Sequence, residues 1–91
     1  MSTKLIEKTD TVTRTMPMYR VIIHNDDVNS MDHVILALQE TFKMELEECI
    51  MIMLEAHKTG AALCRVEPME LAEHHRDILK AFSLSSTIEP E

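Results

Sequence analysis

Around Val21–Met31, VIIHNDDVNSM, the hydrophobic period of the chain changes from that of a strand to that of a helix. Met18 to His24, MYRVIIH, is short and rich in Tyr, Val and Ile, which suits a pleated, buried surface. From Met31 the apolar residues Met31, Val34, Ile35, Leu38 and Phe42 fall on one helical stripe. Asn29 or Ser30 supplies the N-cap, and Asp32 lies in the first turn, where the helix dipole favours negative charge. A strand feeding a helix across three small polar residues constrains the fold strongly. It also asks why two of those residues, Asp26 and Asp27, are acidic.

The same period recurs after Lys43-Met44. Leu46, Cys49, Ile50, Met53, Leu54 and His57 predict a second helix, with Glu45, Glu47 and Glu48 at its N-terminal end. Gly60, the only glycine of the chain, supplies the left-handed conformation that ends a helix. Ala61 to Val66 reads as a second strand. Pro68 suits the first turn of a third helix, whose Leu71, His75, Ile78, Leu79 and Phe82 share a face. Leu84 to Ile88 reads as a short last strand. The order β-α-α-β-α-β predicts one small α+β domain, with three helices packed on a three-stranded antiparallel sheet. Residues 17–91 form this domain. The Thr-rich, charged and aperiodic stretch Met1–Met16 reads as a flexible tail with too little apolar surface to offset the entropy of ordering.

Composition narrows the function. Nine Lys and Arg against sixteen Asp and Glu leave a net charge of −7, which disfavours a nucleic-acid backbone or an anionic membrane as partner. No apolar run approaches the ~20 residues of a spanning helix, and no signal-peptide core is present. Cys49 and Cys64 lie in apolar segments without zinc-like spacing, as reduced core thiols of a soluble intracellular protein do. Eight residues are Met and only three aromatic, so apolar surfaces here can reshape around varied groups, although Met also fills cores.

His57 stands out, one turn beyond Met53 and close to Gly60. A core histidine or a helix-dipole histidine would account for it alone. However, a connection as short as Lys43-Met44 makes the first two helices antiparallel neighbours. His57 then returns towards Asn25-Asp26-Asp27, and amide oxygen, carboxylates and imidazole converge between two Met-bearing stripes. A calcium loop is disfavoured because Met31 would occupy the fifth position and the sharp-turn Gly is missing. Zinc is weak, since His74 and His75 point to different faces and Glu70 with His74 gives only two ligands. A hydrolase using Ser30 lacks the backbone for an oxyanion hole, and no Gly-rich loop offers nucleotide binding. A group of acceptors suits an ammonium, which donates three hydrogen bonds. No cofactor is expected.

HNDDVNSMDHVILAL, with IMLEAHKTGAALC in register, resembles the ClpS family of N-degron adaptors over about Met18 to Ile88. The resemblance implies a non-enzymatic adaptor that binds the free N-terminus of proteins with a bulky apolar first residue, of the Leu, Phe, Tyr and Trp class. It delivers them to a Clp-type AAA+ unfoldase of the ClpA or ClpC class, acting as a monomer in the cytoplasm or a plastid stroma. Asn25, Asp26 or Asp27, and His57 would hold the α-amine. Met31 would gate a side-chain pocket walled by Val34, Met53, Ala56 and Leu84, with Asn29 at the rim. Glu70, Glu73 and His75 would meet the unfoldase, and the tail would be offered to its pore. Three departures from the family pattern are Asn29-Ser30 before Met31, Ala56 in place of a β-branched residue, and His75 in place of a lysine. A module that modulates the unfoldase without reading N-termini is the alternative.

Overall fold

The computed structural model describes residues 16–91. The tail expected over residues 1–16 therefore lies, Met16 apart, outside the described residues. Six elements follow: β1 (Met18–His24), α1 (Met31–Phe42), α2 (Leu46–Thr59), β2 (Ala61–Pro68), α3 (Met69–Ala81) and β3 (Ser85–Pro90). The antiparallel sheet has the order β2-β1-β3, so the most apolar strand is central. Its Val21 and Ile23 point inward and are buried, as period-two alternation requires. The helices cover one face: α2 meets β2, α3 spans all three strands, and α1 packs on α2 and α3.

Local chemistry explains the boundaries. The Ser30 hydroxyl accepts the His33 N–H and caps α1, while Asn29, the other candidate cap, turns to Asp26. Lys43 closes α1 in a left-handed conformation at φ 56°, returning its N–H to Gln39. Gly60 closes α2 at φ 96° by donating to the Ala56 carbonyl. Pro68 ends β2 and forms the cap of α3 rather than its first turn. β3 starts one residue later than expected and runs on to Pro90.

Two helices bury only part of the stripes the sequence predicts: Cys49 and Met53 in α2 and Leu79 in α3 are buried as expected, and alanines join them. In α2 the buried residues are Cys49, Met53 and Ala56, while Leu46 and Leu54 are exposed. In α3 Ala72 and Leu79 are buried and Leu71 is exposed. The small residues Ala37, Ala56 and Ala72 face inward because they let backbones approach closely, and counting large apolar residues misses them. β2 also carries a bulge: Val21 pairs with Arg65 but Ile22 with Leu63, leaving Cys64 unpaired. The bulge turns Arg65 and Glu67 towards the helices. Arg65 reaches Glu48 of α2 through two hydrogen bonds of 2.6 and 3.2 Å. The Glu67 carboxylate accepts from His75 Nδ1 at 2.8 Å, and the His75 ring stands edge-on to Phe42.

Both cysteines are free and buried. Burial pushes the Cys64 thiol up to about 12 and raises that of Cys49, so both remain protonated packing groups. The buried Thr41 hydroxyl has no hydrogen-bond partner among the described residues. Thr41→Val keeps the shape and removes that polar atom. We expect it to raise unfolding free energy by about 1 kcal/mol in urea denaturation.

Candidate functional site

A pocket of about 290 Å³ opens where the β1–α1 turn, the start of α1 and the end of α2 meet. It sits near the lower end of the range for ligand sites, roughly 300–1,000 Å³, and suits a group about one residue in size. Two backbone features bring its walls together. His24 pairs with Ala61 in the sheet, and the Asn25 N–H donates to the Gly60 carbonyl at 2.9 Å. The turn after β1 is thereby fastened to the end of α2, which carries His57.

The polar mouth and the apolar interior come from different residues. Asn25, Asp26, Asp27 and His57 line the mouth together with Ser30 and His24. Val34, Met53, Ala56 and Leu84 line the interior with Ile23, and Met31 stands at the edge, 48% exposed. Asn29 also contributes to the lining. Every pocket residue expected from sequence thus falls in one cavity. Ile23, His24 and Ser30 were missed. Ile23 was legible as the last inward position of β1 before the turn.

His57 is exposed and makes no hydrogen bond among the described residues, so it is not a core histidine. Among the described residues nothing occupies its ring nitrogens, and the residue lines the pocket. The two aspartates differ in their duties. The Asp26 Oδ1 atom accepts the N–H groups of Val28 and Asn29 at 3.0 and 2.9 Å, and the Asn29 carboxamide reaches both carboxylate oxygens. The Asn29 backbone N–H above all, joined by its side chain and the Val28 and Ser85 N–H groups, holds the Asp26 carboxyl below its ordinary value. Asp26 is therefore a fixed negative charge. Asp27 is exposed and has no such bonds among the described residues.

This arrangement can hold a cation that carries hydrogen-bond donors at the mouth while burying an attached apolar group inside. Carboxylate, amide oxygen and neutral imidazole all accept, and an ammonium only donates. Among the described residues no group of three His, Cys, Asp or Glu side chains could hold a metal ion.

A second, shallower groove follows the first half of α3, where Pro68, Glu70, Leu71, Glu73, His74 and Asp77 line it. Glu70 and Glu73, which the resemblance assigns to unfoldase docking, line this groove. His75 does not, because its side chain is only 16% exposed and is turned to Glu67 of β2.

Comparison with known proteins agrees with this geometry. A family model described as ATP-dependent Clp protease adaptor protein ClpS matches residues 14–88. The ATP-dependent Clp protease adapter protein ClpS of Gloeobacter violaceus is 40% identical over 92 residues, spanning 100% of this chain and 99% of the relative. Its namesake in Synechococcus elongatus is 39% identical over 97 residues, with the same shares. Among solved structures, Agrobacterium tumefaciens ClpS2 bound to L-phenylalaninamide superposes with a TM-score of 0.79 at 28% identity. The match covers 82% of this chain and 98% of that one. The chain belongs to the ClpS family of ATP-dependent Clp protease adaptors.

Proposed function

We propose that this adaptor reads the free N-terminus of proteins whose first residue is bulky and apolar, of the Leu, Phe, Tyr and Trp class. It then passes them to a Clp-type AAA+ unfoldase of the ClpA or ClpC class. Asn25, Asp26, Asp27 and His57 accept the α-ammonium. The first side chain passes Met31 and lies among Val34, Met53, Ala56 and Leu84. Glu70 and Glu73 dock the unfoldase, with His75 steadying that face through Glu67, and the N-terminal segment is offered to the unfoldase pore. The protein acts as a monomer in the cytoplasm.

One observation carries this reading: acceptors at the mouth and apolar atoms behind them line the same residue-sized pocket. The ligand of the Agrobacterium structure, L-phenylalaninamide, joins a free α-amine to a benzyl side chain and lacks a carboxylate, which is the chemistry proposed here. The energies are adequate. Three hydrogen bonds to a charged group and one buried side chain contribute on the order of 6–12 kcal/mol before the cost of association. Micromolar binding, about −8 kcal/mol, lies at the upper end of what this allows.

A panel of fluorescent peptides differing only at position one tests the reading by anisotropy. Leu-, Phe-, Tyr- and Trp-led peptides are expected to bind at least tenfold more tightly than Ser-, Glu- or Gly-led ones. With alanine at position 56 the difference among the four is a bias and not a switch, because one or two methylenes in an apolar pocket are worth only about 1–3 kcal/mol. Equal affinity across the panel would favour a module that acts on the unfoldase without reading N-termini.

A further inference from the structure

The hydrogen bonds of Asn29 exceed what a pocket wall requires. Its carboxamide nitrogen donates to Asp26 Oδ1 and Oδ2 at 3.2 and 3.0 Å and to the Ser83 carbonyl at 2.8 Å. All three partners are acceptors, so the –NH₂ end must face them; the reverse orientation would set oxygen against oxygen. Both amide protons are therefore engaged, one on the carboxylate and one on the carbonyl.

The two anchors belong to separate parts of the pocket. Asp26 lies in the turn after β1. Ser83 lies in the α3–β3 connection, held in a left-handed conformation at φ 67°, and the next residue is Leu84 of the apolar wall. His33 of α1 fixes the same connection, its Nε2 lying 2.6 Å from the Phe82 carbonyl. In a chain terminus the ammonium and the first side chain are attached to one carbon. A pocket that grips both must hold its acceptors and its wall at one separation, and small displacements weaken both grips.

We propose that Asn29 is a positioning residue: its carboxamide ties the Asp26 carboxylate to the Ser83 carbonyl and so sets the polar mouth at a fixed distance from Leu84. This rests on the reading of the pocket as an N-terminus site. It assigns Asn29 a role distinct from contact with the bound side chain, and brings Ser83, which does not line the pocket, into the machinery.

Anisotropy with a free-amine Phe-led peptide tests it on the full chain carrying Asn29→Ala, Asn29→Thr or Asn29→Asp. Asn29→Ala is expected to weaken binding about tenfold or more. Asn29→Thr keeps one donor for Asp26 and falls between the variant and wild type. Asn29→Asp sets like charges together and is the weakest. Melting temperatures should stay close to wild type, since the Val28 and Asn29 backbone bonds to Asp26 and the Ser30 cap persist.

The pH profile separates positioning from stability. With a donor to Asp26 removed, the acid limb of binding should move to higher pH in Asn29→Ala. The other ionisable groups on the elements around it, Asp27, Asp32, His24, His33 and His57, are common to both proteins, so the displacement between the two profiles is the readout. Unchanged affinity and an unmoved acid limb in Asn29→Ala would overturn the proposal. So would a loss of affinity that only follows a loss of folded protein. Failure of the wild-type protein to bind the peptide would instead remove the N-terminus site itself, and this proposal with it.

Discussion

His57→Ala is expected to weaken binding of a Leu- or Phe-led peptide by about ten- to a hundredfold while leaving the fold intact. On the proposed reading, the His57 imidazole offers the α-ammonium an acceptor at the end of α2. A hydrogen bond to a charged group is worth roughly 1.5–3 kcal/mol, and its loss leaves a desolvated ammonium proton without a partner. The fold should not notice. The ring is exposed and makes no hydrogen bond among the described residues, and helix termination falls to Gly60, whose N–H returns to the Ala56 carbonyl. Alanine also suits a helix better than histidine does. Anisotropy gives the affinity and circular dichroism the melting temperature. Loss of cooperative unfolding in the variant would make His57 a structural residue and detach it from the site.

The juxtaposition that makes His57 useful was legible in the sequence, but for a reason only partly correct. Two helices joined by Lys43-Met44 do run back past one another, and Lys43 takes the left-handed turn that allows it. The closer fastening is the sheet. β2 follows α2 across Gly60 and pairs with β1, so that the end of α2 meets the end of β1 through the Asn25–Gly60 hydrogen bond. Strand pairing over such a separation leaves no trace in local periodicity.

Element types were readable because period and punctuation agreed: alternation in Met18–His24, helical spacing from Met31, and glycine only where a helix stops. Helix rotation was readable only in part. In α2 the expected stripe held Leu46, Ile50 and Leu54 beside Cys49 and Met53, and hydrophobicity alone does not separate the two sets or bring in Ala56. The interior took Cys49 and Met53 together with Ala56, which allows close approach and leaves room for the pocket. The bulge at Cys64 was likewise invisible. Its consequence is large, since it points Arg65 and Glu67 inward to clamp α2 and α3.

The same geometry clarifies the division of labour between Asp26 and Asp27. Sequence left them interchangeable. Asp26 is wrapped by N–H groups and stays ionised to lower pH than an ordinary aspartate, whereas Asp27 is exposed and, among the described residues, without those bonds. Asn29, one of the departures from the family pattern, completes the wrapping. A threonine there could bond the carboxylate but could not also span to Ser83.

N-terminal acetylation of the peptide should produce the largest effect of all. It removes the positive charge and two of the three donors while leaving the first side chain untouched. The acceptors of Asn25, Asp26 and His57 then face an amide that cannot satisfy them. Two lost charge-assisted bonds amount to about 3–6 kcal/mol, a loss of at least a hundredfold. Apolar burial alone would predict no such penalty, so the comparison isolates the grip on the chain start from the fit of the side chain. The decisive measurement is the affinity of one Phe-led peptide with its N-terminus free and then acetylated, under identical salt and pH. Binding of the free peptide at micromolar strength, with the acetylated form at least a hundredfold weaker, is the expected result; equal binding of the two would contradict the account.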